Sequence, residues 1–392
     1  MRRPATGIAT IPFFSSGFRP FFLAAALWAA VAMMLWIGAV TGLWTIASEY
    51  GPVAWHAHEL LFGYVGAAMT GFLLTAIPNW TGRLPVRGGP LLALLCLWLA
   101  GRVAMLVSDS IGTVAAAAID SLFLVAVALT VVREVIAGRN WRNLKTAGIV
   151  SALAIANIGF HCETIIAGAP NYGMRAAIAL IVSLVMLVGG RIVPSFTRNW
   201  LAQKGAQRLP VPFGPPDIGL IAIAAVALVA WAIAPETVAA GVLLLVAAGA
   251  QGFRLSRWAG LATWRQPLVF VLHCGYAFIP LGFLAVGISA LWPGVVTPVG
   301  TLHAWTAGAV ALMTLAVMTR ATLGHTGRTL TAGPATSAIY LAAGIAALAR
   351  VAAPLVPLLT MPLLEVAAVA WIGSFAGYAI IYGPMLTGAR QG

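Results

Sequence analysis

Trp55-His-Ala-His-Glu-Leu-Leu-Phe-Gly-Tyr-Val-Gly-Ala-Ala-Met-Thr-Gly-Phe-Leu-Leu-Thr-Ala-Ile77 decides the fold class. Its first five residues hold two imidazoles and a carboxylate, and no charged side chain follows from Leu60 to Ile77. About 20 apolar residues cross the hydrocarbon core of a bilayer as a helix. The run therefore reads as a membrane-spanning helix with ionisable groups at its mouth. Such groups are costly in lipid and are kept where they bind something or move protons.

The rest of the chain agrees. It has 392 residues, 61% of them hydrophobic and only 8% charged, where a soluble domain carries about a quarter charged residues. Open sheet edges cannot exist in lipid, and the alternation of a barrel strand is missing. The expectation is an all-α polytopic membrane protein forming one transmembrane domain over residues 1–392. Twelve apolar runs are long enough to span: 21–44, 54–78, 90–108, 112–135, 146–168, 174–196, 217–234, 236–253, 267–291, 297–319, 334–352 and 361–386. Only Pro235-Glu236 separates the seventh from the eighth. Pro194 and Pro280 are candidate kinks, and Thr197–Pro216 reads as a connector. No small-residue cleavage site follows Met1-Arg-Arg-Pro4, so no removable signal peptide is expected. Cys96, Cys162 and Cys274 lack CxxC spacing and imply neither disulfides nor a zinc site.

A net charge of +13 would suggest nucleic acid in a soluble protein. Its distribution says otherwise. With both termini in the cytoplasm, all of the 22 basic residues fall inside except Arg102, Arg175 and Arg350, as the positive-inside rule requires. The basic charge thus reads as a topology signal for a multi-pass chain with cytoplasmic termini, with the bilayer rather than nucleic acid as partner.

Depth follows from topology at about 1.5 Å per residue. His56 and His58 lie near the outer end of the second span, His161 in the outer half of the fifth and His303 in the outer half of the tenth. Glu59 and Glu163 share that layer. His273 and His325 form a second pair toward the inner side. His56 and His58 stand about 200° apart on a regular helix, so one metal is not expected to take both. Imidazoles without thiolate pairs suit haem iron or copper. All six histidines are thus candidate metal ligands, with His56, His58 and His303 the candidates for haem b. Arg102 and Arg175 are candidates for its propionates, Trp55, Phe62, Phe160 and Trp305 for its packing. Glu59 and Glu163 are candidate proton-transfer groups.

Four motifs carry a family resemblance. They are Phe14-Ser-Ser-Gly-Phe-Arg-Pro-Phe-Phe22, Trp55-His-Ala-His-Glu59 with Phe62-Gly63, Gly71-Phe-Leu-Leu-Thr-Ala-Ile-Pro-Asn-Trp-Thr-Gly82, and Arg320-x-x-Leu-Gly-His-Thr-Gly-Arg328. Together they resemble the NnrS family over essentially the whole chain. That resemblance implies a twelve-helix bacterial inner-membrane protein linked to denitrification and nitrosative stress, carrying haem and copper and handling nitric oxide. A more distant likeness is to the catalytic subunit of haem–copper oxidases, with haem ligands on helices 2 and 10. The chain departs from it by lacking histidine on helices 6 and 7, so His161 would have to hold the second metal, copper or another haem iron. Three functions remain open here: reduction of nitric oxide with quinol as donor, non-catalytic binding or sensing, and a twelve-helix transporter. Against the last, no Gly/Pro-interrupted pair of segments repeats between the halves.

Overall fold

Proline opens many of the helices: Pro52, Pro90, Pro215, Pro267, Pro298 and Pro334 sit in first turns, where the missing N–H has no intrahelical partner to lose. A computed structural model describes residues 7–391; Arg2, Arg3 and the reading of Met1–Pro4 lie outside the described residues. Twelve helices are long and apolar enough to cross a membrane, and the described residues contain no strand. They are α1 Phe18–Val40, α2 Gly51–Thr81, α3 Gly89–Leu106, α4 Thr113–Ala137, α5 Trp141–Ala167, α6 Tyr172–Gln203, α7 Pro215–Ile233, α8 Val238–Ser256, α9 Pro267–Leu291, α10 Pro298–His325, α11 Pro334–Leu355 and α12 Pro357–Thr387. The chain is an all-helical, multi-pass membrane protein.

Each expected span falls on one helix. The break at Pro235-Glu236 is real, because Thr237 caps α8 by accepting the Ala240 N–H at 3.3 Å. The expected connector shortens, since α6 runs through Pro194 to Gln203 and Thr197 Oγ1 donates to the Val193 carbonyl at 2.9 Å. The helix α9 likewise continues past Pro280.

The described chain divides into two compact units. The first comprises Met1–Ala177, Met318–Thr329 and Phe375–Gly392. Within it α2 packs on α1 and α4, α3 on α4, and α4 on α5. Small residues let α2 be buried most deeply of these helices. A methyl group at Gly71 would meet the Phe22 ring at 2.8 Å, and one at Gly63 would meet Arg102 Nη1 at 2.6 Å. Buried Arg19 donates to the carbonyls of Leu386 and Gly388 at 2.8 and 2.6 Å, satisfying groups at the end of α12.

The second unit comprises Ile178–Val317 and Leu330–Ser374, where α7, α8, α9, α10 and α11 pack in succession. Its main charged pair is Arg254 with Asp217, Nε to Oδ1 at 3.0 Å, both buried. Arg254 Nη1 also donates to Tyr276 Oη at 2.7 Å and the Met186 carbonyl at 3.1 Å. The rings of Phe213, Trp258 and Tyr276 surround the guanidinium. Removing one partner of a buried pair strands the other charge and costs about 3–5 kcal/mol. Asp217→Ala should therefore lower stability by about that amount, read as a fall in the denaturation midpoint in detergent.

A repeat links α2 and α10. Each contains a π-helical segment, Glu59–Tyr64 and Ala304–Val310, beginning directly after a histidine, His58 and His303. Each ends at the same offset in Thr-Gly-Arg, with Gly82 and Gly327 left-handed at φ +68° and +80°. Each π segment also carries a glycine five residues after its histidine, Gly63 and Gly308, so a glycine does recur between the two halves although neither helix breaks there. Such wider turns re-aim side chains and cluster at functional sites.

Candidate metal centre

All the groups of this site belong to the first unit. Helix α2 supplies His58 and Glu59, α3 Arg102, α4 Asp120, and α5 Asn157 with His161, an i,i+4 pair on one face. Tyr50 reaches in from just before α2, and Trp28 from α1. One carboxylate oxygen is the meeting point: Asp120 Oδ2 lies 3.0 Å from His58 Nε2, 3.0 Å from His161 Nε2 and 2.9 Å from Asn157 Nδ2. The ligand atoms of His58, Asp120 and His161 all lie within 4.8 Å of one another, and the three residues are buried. Phe62 and Phe160 wall His58, with ring centroids at 5.2 and 5.3 Å.

The surrounding hydrogen bonds aim the ring nitrogens. His58 Nδ1 donates to Glu59 Oε1 at 3.0 Å, and Trp28 Nε1 donates to Glu59 Oε2 at 2.7 Å. That leaves the Nε2 lone pair of a neutral His58 facing Asp120 Oδ2, also a lone-pair atom. On the other side Tyr50 Oη and His161 Nδ1 are 2.7 Å apart. Burial, and after it the Asp120 charge, push the Tyr50 phenol above its usual range, so it stays protonated. Its oxygen accepts from Nδ1–H in the tautomer that turns the Nε2 lone pair of a neutral His161 to Asp120 Oδ2. Arg102 donates through Nη1 to Glu59 and through Nη2 to Asp120.

Charge and donor type point the same way. Two buried carboxylates face one guanidinium, so the group carries one net negative charge when both imidazoles are neutral. In a low-dielectric interior that charge calls for a cation, which a proton on His58, lying 3.0 Å from both Glu59 and Asp120, or a bound metal ion would supply. A metal ion between His58 Nε2, His161 Nε2 and Asp120 Oδ2 would satisfy all three lone pairs at once. A haem does not fit between these two imidazoles, whose ring centroids are only 4.8 Å apart with Asp120 Oδ2 at 3.0 Å from both Nε2 atoms.

The other expected site residues lie elsewhere. His56 stacks on Trp36, centroids 4.2 Å apart, while His58 is wholly buried. Glu163 accepts the backbone N–H groups of Asn171, Tyr172 and Gly173 at 2.7, 3.1 and 3.0 Å, at the entry to α6. Arg175 lies over the Tyr172 ring at 4.8 Å. His325 sits 5.4 Å from the Phe18 ring. In the second unit, His273 Nε2 is 2.7 Å from Thr197 Oγ1. There too His303 Nδ1 donates to the Val299 carbonyl at 2.9 Å, which turns the lone pair of a neutral ring to Nε2.

Asp120, Asn157, Tyr50 and Trp28 were not among the expected residues. Asp120 was legible by the rule applied to the histidines, being an acid in the apolar run 114–132. Asn157, Tyr50 and Trp28 have no comparable signal in the sequence.

A multi-pass helical membrane protein with a buried imidazole–carboxylate cluster that could hold a metal ion is the class that fold and site define. Within that class the chain belongs to the NnrS family, whose model, described as NnrS protein, matches residues 12–390. No curated protein matches the chain.

Proposed function

We propose that this protein binds a first-row transition ion at His58, Asp120 and His161 and uses it to bind nitric oxide within the inner membrane. The observation that carries the metal is the convergence of three buried ligand side chains from three helices on one point. Two imidazoles with one carboxylate form the donor set of non-haem ferrous sites, which leave positions open for a small ligand. Nitric oxide comes from the family resemblance and suits the setting, because a neutral diatomic reaches a site in lipid without a polar entrance.

The protein's own groups have defined tasks here. Glu59 holds the His58 ring with Nε2 turned inward, Tyr50 holds His161, and Arg102 offsets the carboxylates. Such outer partners fix ligand orientation and basicity. The bound ion would supply a coordination position for nitric oxide. Haem b would fall to histidines outside the cluster, and His303 is our assignment, with Nε2 as the ligand atom. The distribution of basic residues supports cytoplasmic termini. Reduction to nitrous oxide would draw electrons from a quinol and protons through groups of the Glu59 kind.

Full-length protein purified anaerobically in detergent tests this. Elemental analysis should find non-haem metal bound to the chain, and added nitric oxide should give a metal–nitrosyl signal. Nitrous oxide produced from quinol and nitric oxide would identify a catalyst, and a stable nitrosyl without turnover a binding or sensing protein. Protein with no non-haem metal after reconstitution with ferrous iron or copper would overturn the reading.

A further inference from the structure

We infer that Asn157 is the fourth ligand of this centre and enters it by turning its side-chain amide. The inference deepens the metal reading above and rests on it. Asn157 is fully buried, one turn before His161 on the same face of α5. Its Nδ2 donates to Asp120 Oδ2 at 2.9 Å and lies 3.1 Å from His58 Nε2. Its Oδ1 is buried with no hydrogen-bond partner.

This arrangement is unusual for a structural asparagine. A buried amide oxygen without a partner forfeits about 1–3 kcal/mol, yet the side chain holds that orientation because a carboxylate oxygen attracts its N–H groups. The amide nitrogen thus brings the positive end of a dipole to two lone-pair atoms, the place a cation would take. When a metal ion occupies that place, the same nitrogen faces positive charge and is repelled. A half-turn about the Cβ–Cγ bond exchanges the two ends and presents Oδ1, a hard oxygen donor, to the ion. The turn breaks no bond to Oδ1, since none exists. The bonds it gives up at Nδ2 go to Asp120 and His58, whose lone pairs the ion then takes. The resulting set is two imidazole nitrogens, one carboxylate oxygen and one amide oxygen.

The test compares Asn157→Leu, which keeps the bulk without an oxygen, with Asn157→Asp, which keeps the oxygen and cannot turn a donor inward when ionised. Ferrous iron affinity is measured anaerobically by chelator competition, and coordination by X-ray absorption. Asn157→Leu should bind iron about 10–100-fold more weakly, a range known for groups that support a metal, and lose one oxygen scatterer. Asn157→Asp should restore both. Unchanged affinity and an unchanged coordination shell in Asn157→Leu would overturn the assignment. Should that variant fail to fold, Asn157→Ala carries the same two outcomes. His161→Ala is the control that separates the two claims: iron binding that survives it sinks the centre itself, whereas iron lost in His161→Ala but kept in Asn157→Leu sinks only the fourth ligand.

Discussion

Arg102→Leu should fail to accumulate as folded, monodisperse protein in detergent. The guanidinium is buried and donates to both Glu59 and Asp120, themselves buried. Removing it strands two carboxylates in an apolar helix unit. Breaking one buried pair costs about 3–5 kcal/mol, a large share of the roughly 5–15 kcal/mol that holds a domain folded, and here two pairs break together. The loss should be conditional. Adding Glu59→Gln and Asp120→Asn to Arg102→Leu removes the stranded charges and should restore a folded peak, although without metal. Size-exclusion chromatography of the single and triple variants reads both outcomes. A folded single variant of normal stability would show that the carboxylates are compensated by something other than Arg102.

Asp120→Asn should do the reverse, folding but losing its metal. With that substitution the cluster holds one carboxylate, Glu59, against one guanidinium, so no buried charge is stranded. The nearly isosteric amide keeps the packing of α4 against α3, where a methyl group at Gly101 would approach Asp120 Oδ1 to 2.8 Å. What disappears is the anionic oxygen on which His58 and His161 converge. Metal affinity should fall by more than the roughly 10–100-fold that loss of an outer-shell group costs. Elemental analysis beside a thermal melt separates the two effects. Wild-type metal content in Asp120→Asn would remove the carboxylate from the ligand set.

The two variants also show how the site resisted a reading by motif. His58 was legible because Trp55-His-Ala-His-Glu59 places imidazoles where apolar residues are expected. Arg102 was legible as a buried cation, but its partners are protein carboxylates rather than the propionates expected for it. Glu163, which looks equal to Glu59 in the sequence, receives three backbone N–H groups at the entry to α6. Depth along the membrane can be counted from residue numbers; which way a side chain points around its helix, and which helix stands opposite, cannot.

The twelve spans and the multi-pass class were determined by the sequence alone, because transfer of apolar side chains from water to lipid is nearly additive along a local window. The break at Pro235-Glu236 belongs to the same category, since a cap is made by neighbours in the chain. The tertiary structure alone decided that His58 meets His161 across Asp120 while His56 stacks on Trp36. It also decided that π segments follow His58 and His303. These are facts of azimuth and of neighbouring helices, set by packing among segments up to about a hundred residues apart, and no local window contains them.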